Sequence, residues 1–208
     1  MANWRKELRE LTRRMPAAGI EIGAMVDAVY QTESDRGCVL IAGSVAENAL
    51  ETIIRTHIVP LSRAKEEELF AGEGVFSSFS AKIKTAFAFG LIDGELRDQF
   101  DRLREIRNAF AHSKVAIDFN TPEIRRACVG LLKSKDPAKI EPRALYANAA
   151  YLLMHAGTLA LQRARSKRKR RPRPILYDEA LASFGKWLRQ FQRQTQRNLR
   201  AESKGTIP

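Results

Sequence analysis

Leu96, Phe100, Leu103 and Phe110 recur at a spacing that an α-helix turns into a single apolar stripe. Arg107 interrupts that stripe, at a position where an apolar side chain would complete it. An arginine keeps its proton and is rarely buried unless paired, so Arg107 must either meet a carboxylate in the core or face a groove that an anion can enter. On the neighbouring face of the same helix Asp101, Glu105, Asn108 and His112 form a polar stripe, which puts an amide and an imidazole one turn apart. Any fold adopted by this chain must give that helix a core on one side and a place for the arginine.

Helical periodicity governs most of the remaining sequence. A central helix is expected over 36–57, capped by Ser34 and Asp35, with Val39, Ala42, Gly43, Ala46, Leu50 and Ile53 along one stripe and small residues that admit a close neighbour. Other helices are expected over 3–14, 20–32, 61–70, 80–89, 124–132, 143–165 and 176–199. Gly90 suits the left-handed residue that closes the 80–89 helix, Asp93-Gly94 opens the helix of Arg107, and Pro122 opens the next. Only 115–119, Val-Ala-Ile-Asp-Phe, alternates like a strand. Phe70, Phe76, Phe79, Phe87 and Phe89 are core candidates, while Ser77, Ser78, Ser80, Lys82 and Lys84 read as a cap and an exposed helix face. His57 and His155 read as packed or capping residues. The expected fold class is therefore all-α, a bundle of about six to eight helices with a basic C-terminal extension.

Charge is unevenly placed. Of the net +12, residues 163–208 hold 14 Lys and Arg against 3 acids, whereas residues 1–162 hold 22 against 21. Three segments follow: a helical domain over 1–162, a basic linker over 163–175, and a basic amphipathic helix and tail over 176–208. The linker concentrates Arg163, Arg165, Lys167, Arg168, Lys169, Arg170, Arg171 and Arg173 without an intervening acid. These eight are the candidate nucleic-acid contacts, to DNA or RNA phosphates, because such a density of cations attracts a polyanion. Cys38 and Cys128 lie far apart in apolar helical patterns, so neither a disulfide framework nor a metal site is expected, and no sequence feature calls for a cofactor. The N-terminus has no apolar signal region and no uninterrupted apolar run is long enough to span a bilayer, so a soluble cytoplasmic protein is expected, with no membrane partner.

Two resemblances attach to these residues. Arg107-Asn108, followed by three residues and His112 near the end of a helix, resembles the Arg-polar-x-x-x-His motif of HEPN domains, many of which are metal-independent ribonucleases. A wider one covers roughly residues 20–160. Ser34-Asp35-Arg36-Gly37-Cys38-Val39, Ala46-Glu47-Asn48-Ala49-Leu50-Glu51, Phe76-Ser77-Ser78-Phe79-Ser80-Ala81-Lys82-Ile83-Lys84, Gly90-Leu91-Ile92 and Ile106-Arg107-Asn108-Ala109-Phe110-Ala111-His112 are similar, in that order, to the mannitol operon repressor (MltR) family. Ordered blocks are more specific than one short motif.

The resemblances imply different functions. The repressor family implies a bacterial transcriptional regulator without a recognisable helix-turn-helix, touching nucleic acid through its basic tail or acting through a protein partner. The HEPN motif implies a metal-independent endoribonuclease of the toxin or phage-defence class, with Arg107, Asn108 and His112 catalytic and a homodimer bringing arginine and histidine together from two chains. Lys114 stands where some HEPN toxins carry Tyr, and the long basic extension departs from the repressor family. A third reading is a helical protein-interaction module. A purely structural reading of the motif is also open, in which Arg107 pairs with Glu47 of the central helix.

Overall fold

The computed structural model describes residues 29–132, 136, 139–165 and 175–203. Seven helices are bounded within them: α1 Asp35–Arg55, α2 Arg63–Phe70, α3 Phe79–Ala88, α4 Gly94–His112, α5 Pro122–Val129, α6 Pro142–Arg165 and α7 Tyr177–Ser203. Residues 29–31 end a helix ahead of α1. The helices expected over 3–14 and, up to residue 28, over 20–32 lie outside the described residues, as do most of 133–138 and all of 166–174. The all-α expectation holds: among the described residues there is no strand, and the β-pairing present is one bridge between Ile92 and Ile175.

Helix α1 is the centre of the bundle because its sequence leaves little to expose. Ser34 Oγ accepts the Gly37 N–H at 3.1 Å to start it, and Val39, Ala46, Leu50 and Ile53 are fully buried along it. It packs along α6 and is flanked by α4 and α3. Small residues set the α1–α6 distance, since a Cβ added at Gly157 of α6 would stand 3.0 Å from both the Cα and the carbonyl oxygen of Ala49. By length and composition α1 would also qualify as a membrane span, so composition alone does not exclude one; here half of its apolar stretch is buried inside the bundle.

Helix ends follow their local chemistry. Gly90 takes φ +64°, with its N–H on Phe87 O (2.9 Å) and the Leu91 N–H on Ala86 O (2.8 Å), which is a Schellman closure of α3. Three residues later the Asp93 carboxylate accepts the Leu96 N–H at 2.8 Å and opens α4. The first turns of α7 enter the same core, since Ile175, Tyr177, Ala180 and Phe184 are buried with the bundle residues.

Three expectations are corrected. Residues 115–119 form no strand: Phe119 turns into the core against Phe110 and Tyr146 (ring centroids 5.5 and 5.9 Å), and its N–H is taken by Asp35 Oδ2 at 3.0 Å, leaving no edge to pair. Phe87 and Phe89 are exposed, Phe89 at 74%, because α3 ends there and turns them outward; the Arg97 guanidinium covers the Phe87 ring at 4.5 Å. Lys82, expected on an exposed face, is buried for a reason given by its neighbours below.

Candidate functional site

Arg107 sits where its helix stripe places it, on the side of α4 facing α1. Its stem crosses α1 at Gly43: a Cβ added to that glycine would lie 3.0 Å from Arg107 Cγ and 3.1 Å from the Tyr146 hydroxyl. Tyr146 is fully buried, and its hydroxyl lies 3.1 Å from Val39 O and 3.4 Å from Leu103 O, tying α6 to both helices at the level of the arginine. Burial raises its pKa well above the usual tyrosine value. Periodicity does not single out this tyrosine, because Leu145 beside it already satisfies the stripe.

The guanidinium itself reaches the half-buried edge of α4, where Nη1 donates to Asn108 Oδ1 at 3.3 Å. The expected pairing of Arg107 with Glu47 is not formed. Glu47 instead accepts from Lys82 Nζ at 2.9 Å, and the same ammonium lies 3.1 Å from Glu51, with the lysine side chain only 5% exposed. Lys82 lies on α3, which flanks α1 on the side of Glu47, so the lysine meets both carboxylates one turn apart. Arg55 extends the network, 2.9 Å from Glu51 and 2.8 Å from Glu66, and stacks 4.0 Å over the Phe70 ring. Among the described residues no carboxylate lies within ion-pair distance of Arg107.

His112 closes α4 and is exposed, with the end of its helix fixed by Arg36 Nη2, which donates to Ser113 O at 3.3 Å. Asn108 and His112 share a face, as expected, whereas Arg107 and His112 are separated by five positions, roughly 140° around the helix axis. One chain therefore places the arginine toward α1 and the histidine toward solvent.

The other reactive side chains are quiet. Cys38 and Cys128 are free and buried; burial pushes the Cys128 thiol up to about 12 and raises that of Cys38, so neither is a thiolate near neutral pH. His57 Nδ1 lies 2.8 Å from Ile53 O at the end of α1, a capping position. His155 Nε2 lies 2.6 Å from Ser183 Oγ, joining α6 to α7, and burial lowers its pKa. Among the described residues no group of three His, Cys, Asp or Glu side chains gathers to hold a metal. A cavity of about 550 Å³ opens where α4 and α7 begin and α5 ends, its charged lining made of Asp93, Glu95, Asp98 and Asp178 with Arg102.

Of the basic linker, Lys167, Arg168, Lys169, Arg170, Arg171 and Arg173 lie outside the described residues, and Arg165 ends α6. Arg163 is partly buried and ion-paired with Glu179 of α7. Beyond that pair α7 carries Lys186, Arg189, Arg193 and Arg197, all exposed, with no acid between Glu179 and Glu202. Its other face holds Phe184, Trp187 and Phe191 in a stacked ladder with centroids 5.8 and 5.4 Å apart.

The chain matches no family model, no curated protein and no solved structure.

Proposed function

We propose that the chain is a nucleic-acid-binding regulator of the kind its resemblance to the mannitol operon repressor family implies, with its C-terminal segment as the contact. One observation carries this reading. Helix α7 grows out of the bundle core at Ile175 and Tyr177 and then runs to Ser203 with five cations and no acid from residue 180 to 201. A neutral bundle that holds a basic helix in place is suited to bringing a polyanion to a fixed surface. The test is binding of the full chain to labelled duplex and single-stranded oligonucleotides across a salt series. Affinity that falls steeply and linearly with log salt supports the reading; an absence of binding at low salt removes it.

A second reading, the metal-independent ribonuclease, is favoured by one feature of α4: Arg107 has Asn108 and no carboxylate as its partner, and His112 stands exposed on the same helix. In that chemistry an imidazole takes the proton of an RNA 2′-hydroxyl, the 2′-oxygen bonds to phosphorus, the 5′-oxygen leaves, and the arginine stabilises the charge that develops on the phosphoryl oxygens. It requires the histidine of one copy to approach the arginine of another. Labelled RNA incubated in EDTA with the wild type and with His112→Ala decides it, since cleavage lost in the variant supports the reading and no cleavage by the dimeric wild type rejects it.

A further inference from the structure

The geometry of α7 narrows both the contact residues and the nucleic acid. Lys186, Arg189, Arg193 and Arg197 are separated by three, four and four positions, so they return to one line along the helix. Between the first and the last the helix rises about 16 Å. Gln190 and Gln196, both exposed, flank that line on either side. The exposed face is thus a row of cations with amides beside it, undiluted by acids.

The aromatic residues of the helix are placed on the opposite side. Phe184 is buried, Trp187 packs against the core, and the Phe184, Trp187 and Phe191 rings stack on one another. Sequence-independent binding of single strands relies on aromatic faces open to bases beside a basic groove. On α7 the rings and the cations point away from each other, so a base stacked on the rings would leave its phosphate far from the arginines. A duplex has the complementary form: a regular row of phosphates edging a major groove that admits an α-helix, within which amides reach base edges. The deep, narrow major groove of A-form RNA does not admit one.

The helix is also held. Asp93 Oδ2 accepts the Tyr177 N–H at 2.9 Å while its other oxygen caps α4, the Ile175 N–H bonds Leu91 O at 3.0 Å, and Arg163 pairs with Glu179. Its exposed face is therefore presented in one orientation by the bundle. We propose that α7 is the DNA-binding element of this protein, its ligand double-stranded DNA, with Lys186, Arg189, Arg193 and Arg197 on phosphates and the amide on one side of that row, Gln190 or Gln196, toward the groove. The proposal rests on the nucleic-acid-binding reading above and assigns it a surface other than the linker.

Two charge-matched variants of the full chain separate the assignment from simple electrostatics. One carries Arg189→Gln, Arg193→Gln and Arg197→Gln; the other carries Arg168→Gln, Arg170→Gln and Arg171→Gln. Each phosphate contact contributes about 0.9 to the slope of log affinity against log salt, so the helix variant should lose about 2.7 from that slope on duplex DNA. The linker variant should keep most of it. A helix variant with lysine at all three positions, of unchanged helical content, should restore the slope.

Equal losses in the two variants would show that binding follows net charge alone and would overturn the assignment. A single strand of the same sequence that outcompetes the duplex would overturn the choice of ligand, with nucleic-acid binding intact. If the wild type binds neither, the reading beneath the proposal falls and takes the proposal with it.

Discussion

Lys82 carries a charge into the core because Glu47 and Glu51 converge on it, and that arrangement makes a strong residue-level prediction. Replacing it by methionine keeps the stem but leaves two partly buried carboxylates facing each other, which should cost roughly 2–4 kcal/mol in urea unfolding. Glu47→Gln should cost less, since Glu51 stays within 3.1 Å of the ammonium, and the double variant should cost less than the two singles together. The sequence showed that a carboxylate at position 47 would seek a basic partner across two packed helices. It did not show which one, because a helical wheel gives the face of Arg107 but not the depth to which α3 brings Lys82. His155 supplies a pH dependence. Burial holds its folded pKa below the usual 6.5, so below that value the unfolded chain binds the proton more readily. Its contribution to stability is therefore complete above about pH 6.5 and declines as pH falls from there toward the lowered folded value. Unfolding midpoints measured from pH 7.5 to 5 should show this fall, and His155→Gln should flatten it; an unchanged profile in the variant would assign the slope to other groups.

Among the elements, the helix boundaries were the most legible feature, because caps are local chemistry. Ser34, Ser78, Asp93 and Gly90 perform the roles their residue types announce. The 115–119 segment shows where local pattern stops being enough: alternation over five residues is also what a loop shows when it drops one large ring, Phe119, into a core. Whether such a segment becomes a strand depends on a neighbour, and the neighbour here is the Asp35 carboxylate. The close contact of α1 and α6 was half legible, since the small residues of α1 were plain but Gly157, their counterpart, was not. Gly157→Val should force the two helices apart, because its added atoms meet the Ala49 backbone, which cannot rotate away as a side chain can. A loss of about 2–3 kcal/mol is expected in thermal or urea unfolding. Gly43→Ala, whose Cβ has the Arg107 stem and the Tyr146 hydroxyl as its nearest neighbours, should cost less, offset by the better helix propensity of alanine. Equal losses at the two positions would mean that the α1–α6 spacing is not set by Gly157.

Across the whole molecule, the uneven charge suggested a bundle and a separate tail, and the core shows why charge alone was a poor guide to that boundary. Ile175, Tyr177 and Phe184 follow the basic run in sequence yet are buried among bundle residues, and no count of arginines could reveal it. The amphipathic pattern of 176–199 was visible, but periodicity says only that a face is apolar, not what covers it. Burying a large apolar side chain stabilises by about 1.5–3 kcal/mol, so these three together contribute roughly 4.5–9 kcal/mol, comparable with the net stability of a typical domain. A chain ending at residue 174 should therefore unfold at markedly lower urea concentration, or aggregate through the surface of α6 that α7 covers. It should also give a smaller urea dependence per molar denaturant, because less surface remains to be exposed on unfolding. Denaturant titration with light scattering on the full and shortened chains measures both, and an unchanged midpoint would show that α7 only rests on the bundle. If the shortened chain is destabilised as expected, its failure to bind nucleic acid would say nothing about the contact surface, whereas exposed arginines substituted one face at a time leave the core of α7 in place.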